Sequence, residues 1–128
     1  MDANLNIYST SALAYLGDCA LEICVREYLV REQGLASSAK LNKAALDFVA
    51  APKQARAMEK ILPLLNEEEE AVFRRGRNHS HNNTPKAATP SEYRTATGME
   101  TLFGWLWLSG NKDRINELFY KAYELVSK

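Results

Sequence analysis

The stretch Leu16-Gly17-Asp18-Cys19-Ala20 decides how the sequence is interpreted, because it breaks a long amphipathic segment with two residues that weaken a helix. Glycine costs about 1 kcal/mol in a helix interior relative to alanine, and aspartate is also unfavourable there. The apolar residues around the pair nevertheless recur at helical spacing, at Leu13, Leu16, Ala20, Ile23 and Tyr28. We therefore predict a helix from Ser11 to Arg31, capped by Ser9 or Thr10, that retains its Gly-Asp pair for a reason other than helix stability.

A second stretch repeats the feature in Gly98-Met99-Glu100-Thr101-Leu102-Phe103-Gly104, where one carboxylate lies between glycines in an otherwise apolar segment. Carboxylates are rarely buried unless they are paired, hydrogen-bonded or bound to a metal. If the two helices pack together, Asp18 and Glu100 face each other and share a hard cation through oxygen ligands. The alternative is that each acid meets an arginine or caps a neighbouring element. Glu22, one turn after Asp18, is either an additional ligand or a surface residue.

Helical spacing recurs along the rest of the sequence, and no strand-like alternation interrupts it. The second predicted helix is Ser38–Val49, and the third has Pro52 in its first turn and ends near Pro63. The fourth is capped by Asn66 and reaches the arginines near Arg75. The last two run from Thr89 to Gly110 and onward from the cap residue Asn111. Short links between them indicate an all-α, bundle-like fold in a single domain covering residues 1–128.

Several side chains are assigned from this pattern alone. The acidic run at 67–70 is interpreted as a solvated helix start with favourable dipole placement. Cys19 and Cys24 are interpreted as reduced core residues, because their spacing places them on different helix faces. The aromatic residues Phe103, Trp105 and Trp107 are assigned to the core or to a dimer interface.

The composition limits the partners and the location of the protein. Sixteen basic and sixteen acidic residues give a formal net charge of zero, so binding to a polyanion requires locally concentrated basic residues. No apolar run approaches the roughly 20 residues of a membrane span. The N-terminus has no secretory signal, which predicts a cytoplasmic protein without membrane contact.

The two acidic stretches resemble the motifs of a known enzyme family. Residues 12–18, ALAYLGD, resemble the signature helix of ribonuclease III, in which a Leu-Gly-Asp triplet supplies a metal-binding aspartate. Residues 97–104, TGMETLFG, resemble the second family motif, whose glutamate completes the metal site. Residues 69–78, EEAVFRRGRN, are similar to the segment that precedes this motif in Mini-III ribonucleases, and 84–94 resembles its continuation. The similarity runs in the correct order over nearly the whole chain.

The resemblance implies a Mg²⁺-dependent endoribonuclease, with Mn²⁺ as an expected substitute, in which Asp18 and Glu100 are the catalytic and metal-binding residues. It implies a homodimer whose two active sites flank a valley for double-stranded RNA, each cutting one strand, and no separate RNA-binding domain. The implied role is maturation of the large-subunit (23S) ribosomal RNA precursor. The alternative is a catalytically inactive helical dimer that binds structured RNA or a ribosome component.

The sequence departs from the full-length ribonuclease III pattern at three acidic positions. The glutamates of the signature helix fall on Ser11 and Ala14, and the aspartate three residues before the second-motif glutamate falls on Thr97. Mini-III enzymes share this reduced set. Fewer charged ligands predict weaker Mg²⁺ binding, with water and RNA phosphate at the remaining positions.

The segment from 74 to 94 is the predicted RNA-binding surface, because it has five basic residues and only one acid, Glu92. A locally basic loop suits phosphate and 2′-hydroxyl contacts to A-form RNA. The alternative for each arginine is a carboxylate partner or the helix C-terminus. His79 and His81 are interpreted as polar loop residues rather than zinc ligands. The predicted RNA-binding residues are Arg74, Arg75, Arg77, Asn78, Lys86 and Arg94.

Overall fold

The structure is a computed structural model that describes residues 7–79 and 88–126. Six α-helices account for most of these residues, and no strand occurs among them, so the predicted all-α class is confirmed. No helix in the described ranges is long and apolar enough to cross a membrane. The helices are α1 (Thr10–Arg31), α2 (Ser38–Val49), α3 (Ala51–Ile61), α4 (Glu67–Arg77), α5 (Pro90–Leu108) and α6 (Lys112–Ala122), and a 3₁₀ turn at Leu62–Leu64 follows α3.

The predicted helix starts are confirmed by their caps. The Ser9 side chain accepts a hydrogen bond from the Ala12 amide at the start of α1, and Asn111 caps α6. Asn66 and Thr89 each form a full capping box with the glutamate three residues later. The helix ends differ slightly from prediction: α4 extends two residues beyond the predicted end, and α5 stops at Leu108 instead of reaching Gly110.

Helix α5 forms the centre of the molecule. Its buried residues lie on nearly every side of the helix, which is typical of a helix surrounded by protein. Helices α1, α3, α4 and α6 all pack against it. A carboxylate on α5 therefore lies within a packed core unless it points into a gap between its neighbours.

Glycines set how closely the helices around α5 approach it. A Cβ atom added to Gly17 would lie 1.5 Å from the carbonyl oxygen of Glu100, and one added to Gly104 would lie 2.0 Å from the carbonyl oxygen of Leu13. The backbones of α1 and α5 are therefore in direct contact, which no other residue type allows. Gly98 similarly admits the Phe73 side chain from α4. The close approach explains why glycine interrupts both helices.

Two assignments made from the sequence of α1 are wrong. Ile23 is 56% exposed although its spacing predicted a core position, and Cys19 is exposed as well. Both lie on the outer face of α1, where no described element covers them. Cys24 is a buried free thiol as predicted, and burial, with a smaller contribution from the charge of Glu27, raises its pKa to about 12.

Glu69 corrects the interpretation of the acidic run as solvated. Its side chain is only 2% exposed, and both of its oxygens accept hydrogen bonds from Arg114 of α6 at 2.8 Å. Oxygen Oε1 also accepts the Asn66 amide of the capping box. These contacts, foremost the hydrogen bonds from Arg114, lower the pKa of Glu69. One acid of the run thus joins α4 to α6 through a buried ion pair.

We expect Gly17→Ala to lower the free energy of unfolding by about 2 kcal/mol or more. Overpacking costs up to about 3 kcal/mol, which exceeds the gain of about 1 kcal/mol in helix propensity. Urea unfolding monitored by tryptophan fluorescence measures the change. Cys19→Ala, at an exposed position of the same helix, is the control and should shift stability by less than about 0.5 kcal/mol. A Gly17→Ala variant more stable than the parent would disprove the backbone contact.

We expect Glu69→Gln to lower the free energy of unfolding at pH 7 by about 3 kcal/mol, because it leaves Arg114 without its buried partner. Since the folded-state pKa of Glu69 is depressed, the pair stabilises the fold above the ordinary carboxylate pKa of about 4.3 and ceases to do so as the pH falls through the folded pKa. The difference between parent and variant should therefore shrink from pH 7 to pH 3. Glu67→Gln, at an exposed position of the same turn, should show neither effect, and a pH-independent difference for Glu69→Gln would contradict the assignment.

Candidate metal centre

The contact between α1 and α5 brings Asp18 and Glu100 together. Gly17 touches the backbone of Glu100, so the next residue, Asp18, lies beside the Glu100 side chain. The two side chains are within hydrogen-bonding distance of each other. Asp18 is exposed and Glu100 is partly buried, so the pair faces solvent on one side. The two acids that the sequence singled out are thus neighbours at the surface, although 82 positions separate them in sequence.

The environment of Glu100 disfavours its negative charge. Its pKa is raised to about 8, first by burial and then by the charge of Asp18 and the hydrogen bond between the two side chains. No lysine or arginine in the described part of the chain forms an ion pair with either acid. Like charges at this separation oppose ionisation of both groups. A divalent cation between the carboxylates would remove the repulsion, and oxygen ligands are those that Mg²⁺ and Mn²⁺ prefer.

The protein contributes few ligands to such a centre. Among residues 7–79 and 88–126, no group of three or more His, Cys, Asp or Glu side chains is arranged to hold a metal ion. The Thr97 hydroxyl donates to the carbonyl of Tyr93 at 2.9 Å, so it is held along its own helix. Glu22 forms an ion pair with Arg26 at 3.0 Å, consistent with a surface residue. The arrangement leaves several coordination positions for water and for substrate oxygens.

Gln54 of α3 also belongs to this site, although the sequence interpretation did not identify it. Its side chain is 2% exposed, and Nε2 donates to the carbonyl oxygen of Ala96 at 2.9 Å. Its amide also lies close to the Glu100 carboxylate, and this interaction partly offsets the rise in the pKa of Glu100. A signal was present in the sequence, since Gln54 lies four and seven residues before the core residues Met58 and Ile61. A glutamine on the core face of a helix needs a buried partner.

Arg74 and Arg75, two of the predicted RNA-binding residues, hydrogen-bond to residues earlier in the chain. Arg74 forms an ion pair with Glu70, one turn earlier in α4. Arg75 donates through Nε to the Thr10 hydroxyl at 2.8 Å, and through its terminal nitrogen to the carbonyl oxygen of Tyr8. Arg75 therefore ties the end of α4 to the start of α1, whereas Arg74 remains more than half exposed.

The other predicted RNA-binding residues are distributed around the end of α4. Arg77 lies over the Phe73 ring at 5.6 Å and donates a hydrogen bond to the Asn78 side chain. The backbone N–H of Asn78 caps the end of α4 by donating to the carbonyl oxygen of Arg74. Arg94 is exposed on the first turns of α5. Lys86 and His81 lie outside the described residues. His79 Nε2 and the Ser11 hydroxyl are 3.3 Å apart, so the segment before residue 80 also contacts α1.

Comparison with known proteins finds relatives along almost the whole chain. The sequence profile of the Ribonuclease III domain matches residues 11–111. Mini-ribonuclease 3 of Symbiobacterium thermophilum is 40% identical over 116 residues, which cover 91% of this chain and 88% of the relative. Mini-ribonuclease 3 of Brevibacillus brevis is 40% identical over 121 residues, covering 94% and 90%. A crystal structure of a Fusobacterium nucleatum protein aligns with a TM-score of 0.82 at 29% identity, covering 92% of this chain and 93% of the other.

Proposed function

Because the chain belongs to the Mini-ribonuclease 3 group of the ribonuclease III family, we propose that it cuts double-stranded RNA with Mg²⁺ held by Asp18 and Glu100. Membership makes the protein an endoribonuclease, a phosphodiester hydrolase that acts on RNA with a divalent metal ion. The finer claims concern the identity of the ion, its ligands, the form of the RNA and the assembly. The observation that carries them is the pair of adjacent carboxylates, which have no ion-pair partner in the part of the chain that the structure describes.

The chemistry assigned to the two acids follows from their environment. A bound Mg²⁺ supplies an activated water as nucleophile and charge stabilisation for the leaving oxygen in phosphodiester hydrolysis. Asp18 and Glu100 supply anionic oxygens from two rigid helices, so the ion is located without a loop having to order around it. The exposed side of the pair leaves room for a phosphate group. Mn²⁺, which accepts the same ligands, is expected to substitute.

We assign RNA binding to the basic segment beside the centre. Arg74, Arg77, Asn78 and Arg94 lie at the end of α4 and the start of α5, and Lys86 lies between them in the sequence. Cations distributed in this way suit contacts to phosphates on both sides of a groove, which position a duplex without reading its sequence. Arg75 supports this surface indirectly, because its bonds to Thr10 and Tyr8 fix the end of α4.

We propose that the protein works as a homodimer that associates through α1. The outer face of α1 carries Tyr15, Ile23 and Val30 at helical spacing, which are 80%, 56% and 55% exposed. Exposed large apolar side chains on one face of a helix favour a protein interface. Asp18 lies on the same helix, so association along this face would place two centres beside a common valley, each able to cut one strand.

The RNA that fits this proposal is a structured precursor of the large-subunit (23S) ribosomal RNA, processed in the cytoplasm. The whole of residues 1–128 is assigned to a single catalytic domain, since the family profile spans most of it. Shape recognition of A-form RNA suits a protein whose net charge is zero, because the local basic segment supplies the phosphate contacts.

We expect Asp18→Asn and Glu100→Gln each to reduce cleavage of duplex RNA by about a thousandfold or more, equivalent to about 4 kcal/mol of transition-state stabilisation. Each change removes one of two anionic ligands and also relieves repulsion, so the metal-free variants should melt no lower than the parent. Mg²⁺ should raise the melting temperature of the parent but not of the variants.

Glu22→Gln is the matched control for this experiment, because Glu22 lies one turn after Asp18 and is paired with Arg26. It should cleave at the rate of the parent. A variant of Asp18 or Glu100 with near-parental turnover would remove that residue from the centre. Parent protein that binds duplex RNA tightly but leaves it intact in Mg²⁺ would identify an inactive RNA-binding dimer instead.

Lys86→Ala and Arg94→Ala should each weaken duplex binding and reduce the slope of log affinity against log salt by about 1, because each loses one phosphate contact. Filter binding at several salt concentrations, with the catalytic step blocked by Glu100→Gln, measures the slope. Lys121→Ala, on the exposed side of α6, should leave it unchanged. A slope unaffected by Lys86→Ala would show that the segment containing Lys86 does not touch phosphate.

A further inference from the structure

We propose that Gln54 is a positioning residue that fixes the Glu100 carboxylate beside Asp18 and thereby sets the affinity of the centre for its divalent cation. The proposal rests on the proposed function of the two acids. It adds a third helix to the site, since Gln54 belongs to α3 whereas the two acids belong to α1 and α5.

Gln54 contacts two groups on one turn of α5. Its Nε2 donates a hydrogen bond to the carbonyl oxygen of Ala96 at 2.9 Å, and the same amide lies close to the carboxylate of Glu100. Ala96 and Glu100 are four residues apart, so the two acceptors lie one above the other on the same face of the helix. An amide nitrogen carries two hydrogens, which is the number that two acceptors require.

Burial restricts the rotation of the Gln54 side chain. The Gln54 side chain is almost completely enclosed, and a buried amide left without partners is costly, so both of its contacts are favoured over rotation to another arrangement. Glu100 has three rotatable side-chain bonds and would otherwise be free to turn away from Asp18. Outer partners of metal ligands commonly fix ligand orientation in this way, and their loss costs 10- to 100-fold in metal affinity or activity.

A neutral donor suits this position better than a charged one. A lysine or arginine at position 54 would neutralise the acidic pair and compete with the divalent cation. A glutamate would add a third negative charge and remove the donors. Glutamine orients Glu100 while leaving the negative charge of the pair available to the ion.

The test replaces Gln54 with methionine, which has a similar shape and no donor. We expect Gln54→Met to weaken Mn²⁺ binding by about tenfold or more in the absence of RNA, measured from the electron paramagnetic resonance signal of the free ion. The Mg²⁺ concentration for half-maximal cleavage should rise to a similar extent. At the parental Mg²⁺ optimum kcat should fall while KM for the duplex stays unchanged, and added Mg²⁺ should restore part of kcat.

Gln33→Met is the matched control, because the Gln33 amide donates to the Tyr28 hydroxyl in a part of the chain away from the centre. It should bind Mn²⁺ as the parent does. Gln54→Asn, which keeps the donors on a shorter stem, should also weaken Mn²⁺ binding, and it replaces Gln54→Met if that variant does not fold.

Three results are decisive. Parental Mn²⁺ affinity and Mg²⁺ dependence in a folded Gln54 variant would overturn the proposal. Loss of cooperative unfolding in both Gln54 variants would overturn it as well, since Gln54 would then hold α3 to α5 rather than position Glu100. Failure of the parent to bind Mn²⁺ in a way that requires Asp18 and Glu100 would instead refute the proposed function.

Discussion

The backbone contact between α1 and α5 is the constraint on which the rest of the structure depends. Gly17 and Gly104 each lie against a carbonyl group of the opposite helix, so neither helix can carry a side chain at these points. This contact fixes the relative position of the residues that follow, above all of Asp18 and Glu100. The two carboxylates are therefore located by the packing of two long helices, and the arrangement does not depend on the conformation of a loop.

Glu69 and Glu100 show how the surroundings of a carboxylate differ between an acid that joins two helices and one proposed to bind a metal ion. Glu69 is paired with Arg114, which supplies hydrogen bonds and positive charge and lowers its pKa. Within residues 7–79 and 88–126, Glu100 meets another acid and a neutral amide, and its pKa is raised. The first arrangement is satisfied within the chain, whereas the second would become favourable on binding of a cation from solution. The difference lies in what the protein places opposite each carboxylate.

Local signals explain why most of the fold and the acidic pair could be predicted from the sequence. N-caps, prolines and helical spacing are short-range features, and a glycine next to an acid in an apolar helix is conspicuous. Gln54 was missed because its partners lie 42 and 46 positions away, and the same holds for Glu69 and Arg114, which are 45 apart. The predictions for Ile23 and Cys19 were wrong for a related reason. Helical periodicity shows which residues share a face, but only the neighbouring elements determine whether that face is covered.

Helix α1 also connects the proposed metal centre to the basic segment. Arg75 bonds to Thr10 and Tyr8, and His79 contacts Ser11, so the end of α4 is held to the first turn of the helix that carries Asp18. Ser11 and Asp18 are seven residues apart, which places them on the same face and separates them by about 10 Å along the axis. A phosphate bound near His79 would therefore lie at a fixed distance from the carboxylates. Because α1 carries both Ser11, which contacts His79, and Asp18, a duplex bound to the basic segment would meet the proposed metal centre in a defined register.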